Sequence, residues 1–270
     1  MSPGVRDIVQ RALAEDIGSG DVTSKACIDE DQQAVGRFIA RQSIVVAGLE
    51  LLPLLFESAG IEMRKQSGDA AEDGEVLAIV RGYARLLLER ERVSLNFLQR
   101  LSGIATLARK YADAVAGTKC RVLDTRKTTP GLRELEKMAA AAGGVTNHRM
   151  GLYDAVLIKN NHIALAGGVA EAVRRARATG FPIEVEARNR REIEEALREG
   201  AARLLLDNMT PAEAAAEIRF IAGRAEVELS GGISLETARS YAETGADFLS
   251  SGAITHSAPA VDINFRIEPE

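Results

Sequence analysis

Two short apolar runs in this 270-residue chain each end in a burst of cationic and polar side chains. RVLD at 121–124 is followed by Thr125, Arg126, Lys127, Thr128 and Thr129, and AVLI at 155–158 by Lys159, Asn160, Asn161 and His162. Between them a Gly143-Gly144 turn leads into Asn147, His148 and Arg149. Arg126, Lys127, His148, Arg149 and Lys159 therefore leave from three loops that can share one mouth. Arginine forks grip carboxylates and phosphates through paired hydrogen bonds, and lysine adds a compact charge. Most Lys and Arg are simply solvated, but these sit at strand ends beside Gly and Thr rather than along a helix face. They read as a site for a small polyanion.

Carboxylates accompany the cations. IEVE at 183–186 carries Glu184 and Glu186, and RLLLD at 203–207 ends on Asp207. Glu184 and Glu186 are expected on opposite faces of their strand, leaving only Glu186 to join Asp207. Such a pair can bind Mg2+ together with substrate phosphates, stabilise a positively charged transition state, or merely neutralise the arginines. The loops SGGIS (230–234) and SSGAITHS (250–257) follow the last two strand candidates. Glycine turns that enter a helix N-terminus offer backbone N–H groups to an anion, and barrels commonly place phosphate sites after their final strands. All three histidines, His148, His162 and His256, fall in such loops, and no HExxH-type ligand spacing is present.

The elements that must position these groups follow from periodicity. From residue 120 onward a short apolar run, a terminal polar residue and a helical stretch with apolar residues three to four apart repeat six times. Strands are predicted at 121–124, 155–158, 183–186, 203–207, 227–230 and 247–250. Helices are predicted at about 132–142, 168–179, 190–199, 211–222 and 234–244. Alternating strands and helices imply a parallel sheet, and six units are too few for a regular eight-fold barrel, so the barrel is incomplete or the sheet open. Before residue 105 the texture changes: strands are expected at 35–48 and 74–82, and helices at 49–60 and 83–117, the last broken or bent at Gly103. This is read as an α+β domain of residues 1–104, with the tail 259–270 packing on it, ahead of a barrel domain of residues 105–258.

Composition narrows the partners. A net charge of -5 argues against a nucleic-acid partner, which needs a broad basic face. Two distant cysteines, Cys27 and Cys120, point to a reducing compartment. With no secretory h-region and no apolar run of membrane length, a cytoplasmic protein without membrane contact is expected.

The segments ALAEDIGSGDVTS (12–24), ERVSLNFLQRLSGIAT (91–106), DTRKTTPGLRELEK (124–137), NHRMGLYDAVLIKNNHI (147–163), EVEA (184–187), LLLDN (204–208), LSGGI (229–233) and SSGAITHS (250–257) resemble, in order, those of quinolinate phosphoribosyltransferases. The resemblance implies an N-terminal α/β sandwich domain and an incomplete, six-to-seven-strand α/β barrel, with sites completed across a homodimer that can assemble further to a hexamer. It implies transfer of phosphoribosyl from 5-phosphoribosyl 1-diphosphate to quinolinate with decarboxylation, giving nicotinate mononucleotide, diphosphate and CO2, with Mg2+ and no organic cofactor. Arg126, His148, Arg149 and Lys159, with Lys127 beside them, correspond to the quinolinate binders, and Arg92 to an arginine donated by the partner subunit. Lys159, Glu186 and Asp207 take the catalytic positions, Glu186 and Asp207 near ribose and Mg2+. Ser230, Gly231, Gly232, Ser251, Gly252 and His256 line the phosphate end. Two departures stand out: Val145 replaces a third glycine, which would force a different loop if positive φ were required there, and Asn160 replaces the Asp of KDNH. Rival readings are a molybdenum-transport-associated homologue, expected to vary in the NHR and LIKxNH segments that are intact here, a different phosphate-binding barrel enzyme, and a non-catalytic homologue.

Overall fold

The computed structural model describes residues 2–270. The chain opens with α1 (Pro3–Ile17), whose first turn is capped by the Ser2 hydroxyl and which buries Val5, Val9 and Leu13, apolar residues four apart on one stripe. α2 (Val22–Cys27) is capped by Asp21, whose carboxylate accepts the Thr23 and Ser24 N–H groups. Then come β1 (Gln33–Ala40), β2 (Ile44–Val45), α3 (Leu52–Leu55), β3 (Gly60–Met63), β4 (Ala70–Ala71), β5 (Val76–Tyr83) and the 31-residue α4 (Ala84–Ala114). β6 (Arg121–Leu123) and α5 (Arg133–Ala142) precede β7 (Val156–Ile158), α6 (Asn160–Ala166) and α7 (Val169–Ala176). β8 (Ile183–Ala187), α8 (Arg190–Arg198), β9 (Arg203–Asp207), α9 (Pro211–Ile221), β10 (Glu226–Ser230), α10 (Leu235–Ala242) and β11 (Phe248–Ser250) continue the alternation, and α11 (Ala253–His256) and β12 (Ile263–Pro269) close the chain.

Two expectations about the first half fail. α4 is not broken at Gly103: the glycine is needed because a Cβ there would lie 2.1 Å from the Pro259 carbonyl oxygen. Close backbone approach, rather than helix termination, explains the residue. The helix expected at 49–60 is only a 3-10 turn and the one-turn α3, after which Phe56 leaves helical geometry and Ser58 takes φ 73°.

The chain divides into two compact units. One comprises the residues up to Arg109, Thr128–Gly144 and Thr255–Glu270. Its antiparallel sheet has the order β12-β1-β5-β3, so the C-terminal tail is a strand paired with β1 along its length. Phe38 stacks on Phe265 from that tail at 4.3 Å, with Phe56 edge-on to Phe38 at 6.1 Å. In the same unit the fully buried Glu136 accepts both the Arg100 guanidinium and the Thr129 N–H and hydroxyl, which pins the start of the Thr128–Leu132 loop. The unit takes in α5 and the 105–109 turn of α4.

The other unit, Lys110–Lys127 and Val145–Ile254, is the predicted run of strands and helices. Its six strands are all parallel in the order β6-β11-β10-β9-β8-β7. From β7 to β11 each strand neighbours the next in sequence, while β11 lies beside β6 and the ring stays open between β6 and β7. It is an α/β barrel left incomplete at six strands. Val185, Leu204, Leu206, Val227, Leu229 and Leu249 are buried along one face, whereas Glu184, Glu186, Arg203, Asp207, Glu228 and Ser230 occupy the alternate positions. One face of the sheet is thus conventional apolar core, while the other carries these polar groups together with Leu205 and Phe248.

Candidate active site

Parallel strands deliver all their carboxyl ends to one side, and at that side of the barrel unit lies a cleft of about 230 Å³. β6 contributes the following Thr125, Arg126 and Lys127; β7 contributes Lys159; β8, β9, β10 and β11 contribute Glu186, Asp207, Ser230 and Ser250. His148 and Arg149 enter from the loop between α5 and β7. The sequence-predicted cations and both carboxylates therefore share one wall-to-wall space.

The loop carrying His148 is tied to β6. Asp124, fully buried, accepts the His148 N–H at 2.8 Å, and Thr146 donates its N–H to the Val122 carbonyl at 2.9 Å. Val145 is buried, and its φ is not positive, so a β-branched residue is accommodated without strain and the loop does not require a third glycine. The Arg149 guanidinium donates to the Ala155 carbonyl. Burial and the nearby Arg126 charge hold Arg149 below its ordinary value. An anion between the two arginines would relieve that repulsion.

Beneath the cleft His148 meets two acids. Its Nε2 lies 3.2 Å from Glu184 and 3.3 Å from Glu228, and both glutamates are buried. This corrects the expectation for Glu184: residues two apart on a strand share a face, so Glu184 and Glu186 both point inward, Glu184 one layer deeper. Burial opposes charge on the imidazole, but hydrogen bonds to the two carboxylates outweigh it and lift His148 from 6.5 to about 9. Burial raises Glu184, whereas the His148 hydrogen bond takes Glu228 down against the effect of burial. His148 lines the cleft, with Nδ1 accepting the Arg149 N–H at 2.7 Å and Nε2 facing the two acids.

Lys159 precedes α6 and gives its N–H to Nδ1 of His162 at 2.9 Å. His162 is a helix-start residue, the bland role open to it. Asn160 accepts the Asn161 N–H through its side-chain oxygen, which an aspartate would also do. Asp207 accepts from the Asn208 amide at 2.7 Å. Asn208 in turn demands Gly231, where a Cβ would fall 2.3 Å from the Asn208 Oδ1 and φ is 96°. Gly232 continues that turn at φ 62°.

Ser251 does not face the cleft: its hydroxyl is buried, donating to the Ile233 carbonyl at 3.0 Å. The neighbouring Ser250 lines the cleft instead, with Gly252 in the turn before α11. Arg92 and His256 belong to the first unit. Arg92 is exposed on α4 in a surface hollow with Asp262 and Arg266, and His256 has its Nδ1 2.6 Å from the Ser257 hydroxyl.

The profile described as "Quinolinate phosphoribosyl transferase, C-terminal domain" matches residues 104–266, and its N-terminal counterpart matches residues 21–102. The chain belongs to the quinolinate phosphoribosyltransferase family. A probable nicotinate-nucleotide pyrophosphorylase (carboxylating) of Bacillus subtilis is 39% identical, over 97% of this chain and 93% of the relative. The chloroplastic nicotinate-nucleotide pyrophosphorylase of Arabidopsis thaliana is 40% identical over 98% and 83%. The solved nicotinate-nucleotide pyrophosphorylase of Francisella tularensis superposes with a TM-score of 0.95 at 33% identity, covering 99% and 98% of the two chains. Glu228 and Ser250 line the cleft without having been singled out from the sequence, and Glu184, which sequence reasoning turned away, lies against His148 beneath it. The signal was available: VELS places Glu228 two residues before Ser230, as IEVE places Glu184 before Glu186.

Proposed function

We propose that this chain transfers phosphoribosyl from 5-phosphoribosyl 1-diphosphate to quinolinate with decarboxylation, releasing nicotinate mononucleotide, diphosphate and CO2. The carrying observation is one cleft in which Arg126, Lys127, Arg149 and Lys159 stand over Glu186 and Asp207, with Ser230 beside a glycine turn. A pyridine dicarboxylate meets the cations, and the family and its named relatives make it the natural candidate. As diphosphate leaves, positive charge grows on the ribose, and Glu186 or Asp207 offsets it electrostatically. On loss of CO2 the electron pair left on the ring carbon is matched by the quaternised ring nitrogen and the surrounding cations, and the carbon then takes a proton.

Glu186 and Asp207 offer two carboxylates in an open cleft, a donor set that suits Mg2+ completed by substrate oxygens and water. When bound, the ion would neutralise charge on the leaving diphosphate. Exposed Arg92 supports a homodimer in which each subunit lends this arginine to its partner's site, with a hexamer as the larger assembly. No described helix is long and apolar enough to cross a membrane, and the bacterial relative fits the cytoplasmic setting we assign. The test is production of nicotinate mononucleotide and CO2 from quinolinate by purified protein, with nicotinate as control; binding without turnover would instead favour a non-catalytic homologue.

A further inference from the structure

Asn208 follows Asp207 at the end of β9 and is one of three described non-glycine residues with positive φ, at 58°. Left-handed backbone strains most side chains, and asparagine is among the few that tolerate it. Of the other two, Ala222 ends α9, where this conformation is a common helix cap, and Ser58 follows α3 in the other unit. Asn208 instead adjoins two residues that line the cleft, Asp207 and Ser230.

A turn explains the backbone of Asn208 but not its side chain. β9 reverses into α9 within residues 208–210, where Thr210 caps the helix and the Tyr241 hydroxyl of α10 donates to the Met209 carbonyl at 3.0 Å. Glycine would make that turn with less strain, and its N–H would donate equally well to the Ser230 carbonyl, as that of Asn208 does at 2.9 Å. What glycine lacks is the amide that donates to Asp207 Oδ2 at 2.7 Å. An ionised carboxylate only accepts, so Nδ2 faces Asp207 and the amide oxygen is turned toward Gly231. A Cβ at 231 would lie 2.6 Å from the Asn208 backbone nitrogen and closer still to Oδ1, so the two residues fit because 231 has no side chain. Asp207 and Ser230 are register partners on β9 and β10. Asn208 thus joins the carboxylate of one strand to the turn of the next, and holds Asp207 through one oxygen while the other has no partner among the described residues.

We propose that Asn208 is a positioning residue for the reaction: it locks the Asp207 carboxylate to the Ser230–Gly231 turn, so that both meet the phosphoribosyl donor as one rigid edge. The proposal rests on the reading of the cleft as a phosphoribosyl-transfer site. In that reading Asp207 faces the ribose and the glycine turn its phosphate end, and a carboxylate free to rotate would present itself to the ribose in several orientations. The strained backbone of Asn208 is then the cost of placing an amide where the turn alone would take glycine.

Asn208→Gly separates the turn from the positioning role. It keeps the turn and removes the side-chain bond, so the melting temperature should stay within about 3 °C of wild type. Calorimetry with 5-phosphoribosyl 1-diphosphate would be run in Mg2+ buffer, with benzene-1,2-dicarboxylate, which lacks the nucleophilic nitrogen, filling the acid site. The variant should bind the donor roughly tenfold more weakly, the loss expected for one hydrogen bond to a charged oxygen. Quinolinate binding should change by less than about twofold, and steady-state KM values should show the same split. Asn208→Asp also tolerates left-handed backbone but sets a second carboxylate against Asp207, and should weaken donor binding at least as much. If wild type binds the donor and Asn208→Gly binds it as tightly, Asn208 is a turn residue alone and the proposal is overturned. Donor and quinolinate weakened equally would overturn it as well, as a general loss of structure. Failure of wild type itself to bind the donor would remove the reading of the cleft, and the positioning role with it.

Discussion

The Asp124 carboxylate accepts the backbone N–H of His148 at 2.8 Å, joining segments twenty-four residues apart. It explains why DTRK and NHR occur together in one chain: the acid that ends the first barrel strand fixes the loop that brings the second group of cations to the same cleft. Recognition and scaffold share a residue pair, and the consequences can be measured.

Quinolinate should be preferred over nicotinate by at least about a hundredfold in kcat/KM. Removing the second carboxylate leaves part of the Arg126, Arg149 and Lys159 cluster without its counter-charge, and an unmet charge in a partly buried site costs several kcal/mol. Competition kinetics with the two acids decide this, and equal turnover would sink the substrate assignment.

Chelation should abolish activity and Mg2+ restore it. Asp207→Asn should weaken use of the phosphoribosyl donor, raising its KM about tenfold or more, while quinolinate binding by calorimetry changes little. Full activity in excess chelator would leave Glu186 and Asp207 as electrostatic partners of the ribose and of the cleft cations alone.

Arg92→Ala and Lys159→Ala should each reduce kcat by on the order of a hundredfold or more if the site is shared between subunits. Mixing and re-associating the two variants should then regain activity, because some heterodimers carry one site with both residues intact. Near-normal turnover by Arg92→Ala, or mixed dimers that stay inactive, would refute the shared site.

Stability should fall as pH rises from about 6.5 toward 9. The folded protein holds the His148 imidazolium proton up to about 9, whereas an unfolded histidine releases it near 6.5. The extra stability is therefore complete below 6.5 and lost through the upper value, on the order of 3 kcal/mol in total. Thermal unfolding of wild type and His148→Gln across this range provides the check: the variant should show the flatter curve.

How much of this was legible in the sequence depends on the range of the interaction. The strand ends at Arg126, Lys127, Lys159, Glu186, Asp207 and Ser230 could be read locally, because a two-residue strand period and a terminal polar residue are properties of a few neighbouring side chains, and parallel topology sends every such end to one side. The motif order along the chain then marked the family. Only the tertiary structure decided what met what underneath. That Ser251 bonds the Ile233 carbonyl while Ser250 lines the cleft depends on a loop 18 positions away; that Gly103 continues a helix depends on Pro259, 156 positions away along the chain. His148, Glu184 and Glu228 come from a loop and two strands separated by another strand in the sheet, so they meet only once the sheet is assembled. Sequence spacing fixes which face a side chain takes on its own strand, whereas the charge state of a buried cluster is set by distances between strands.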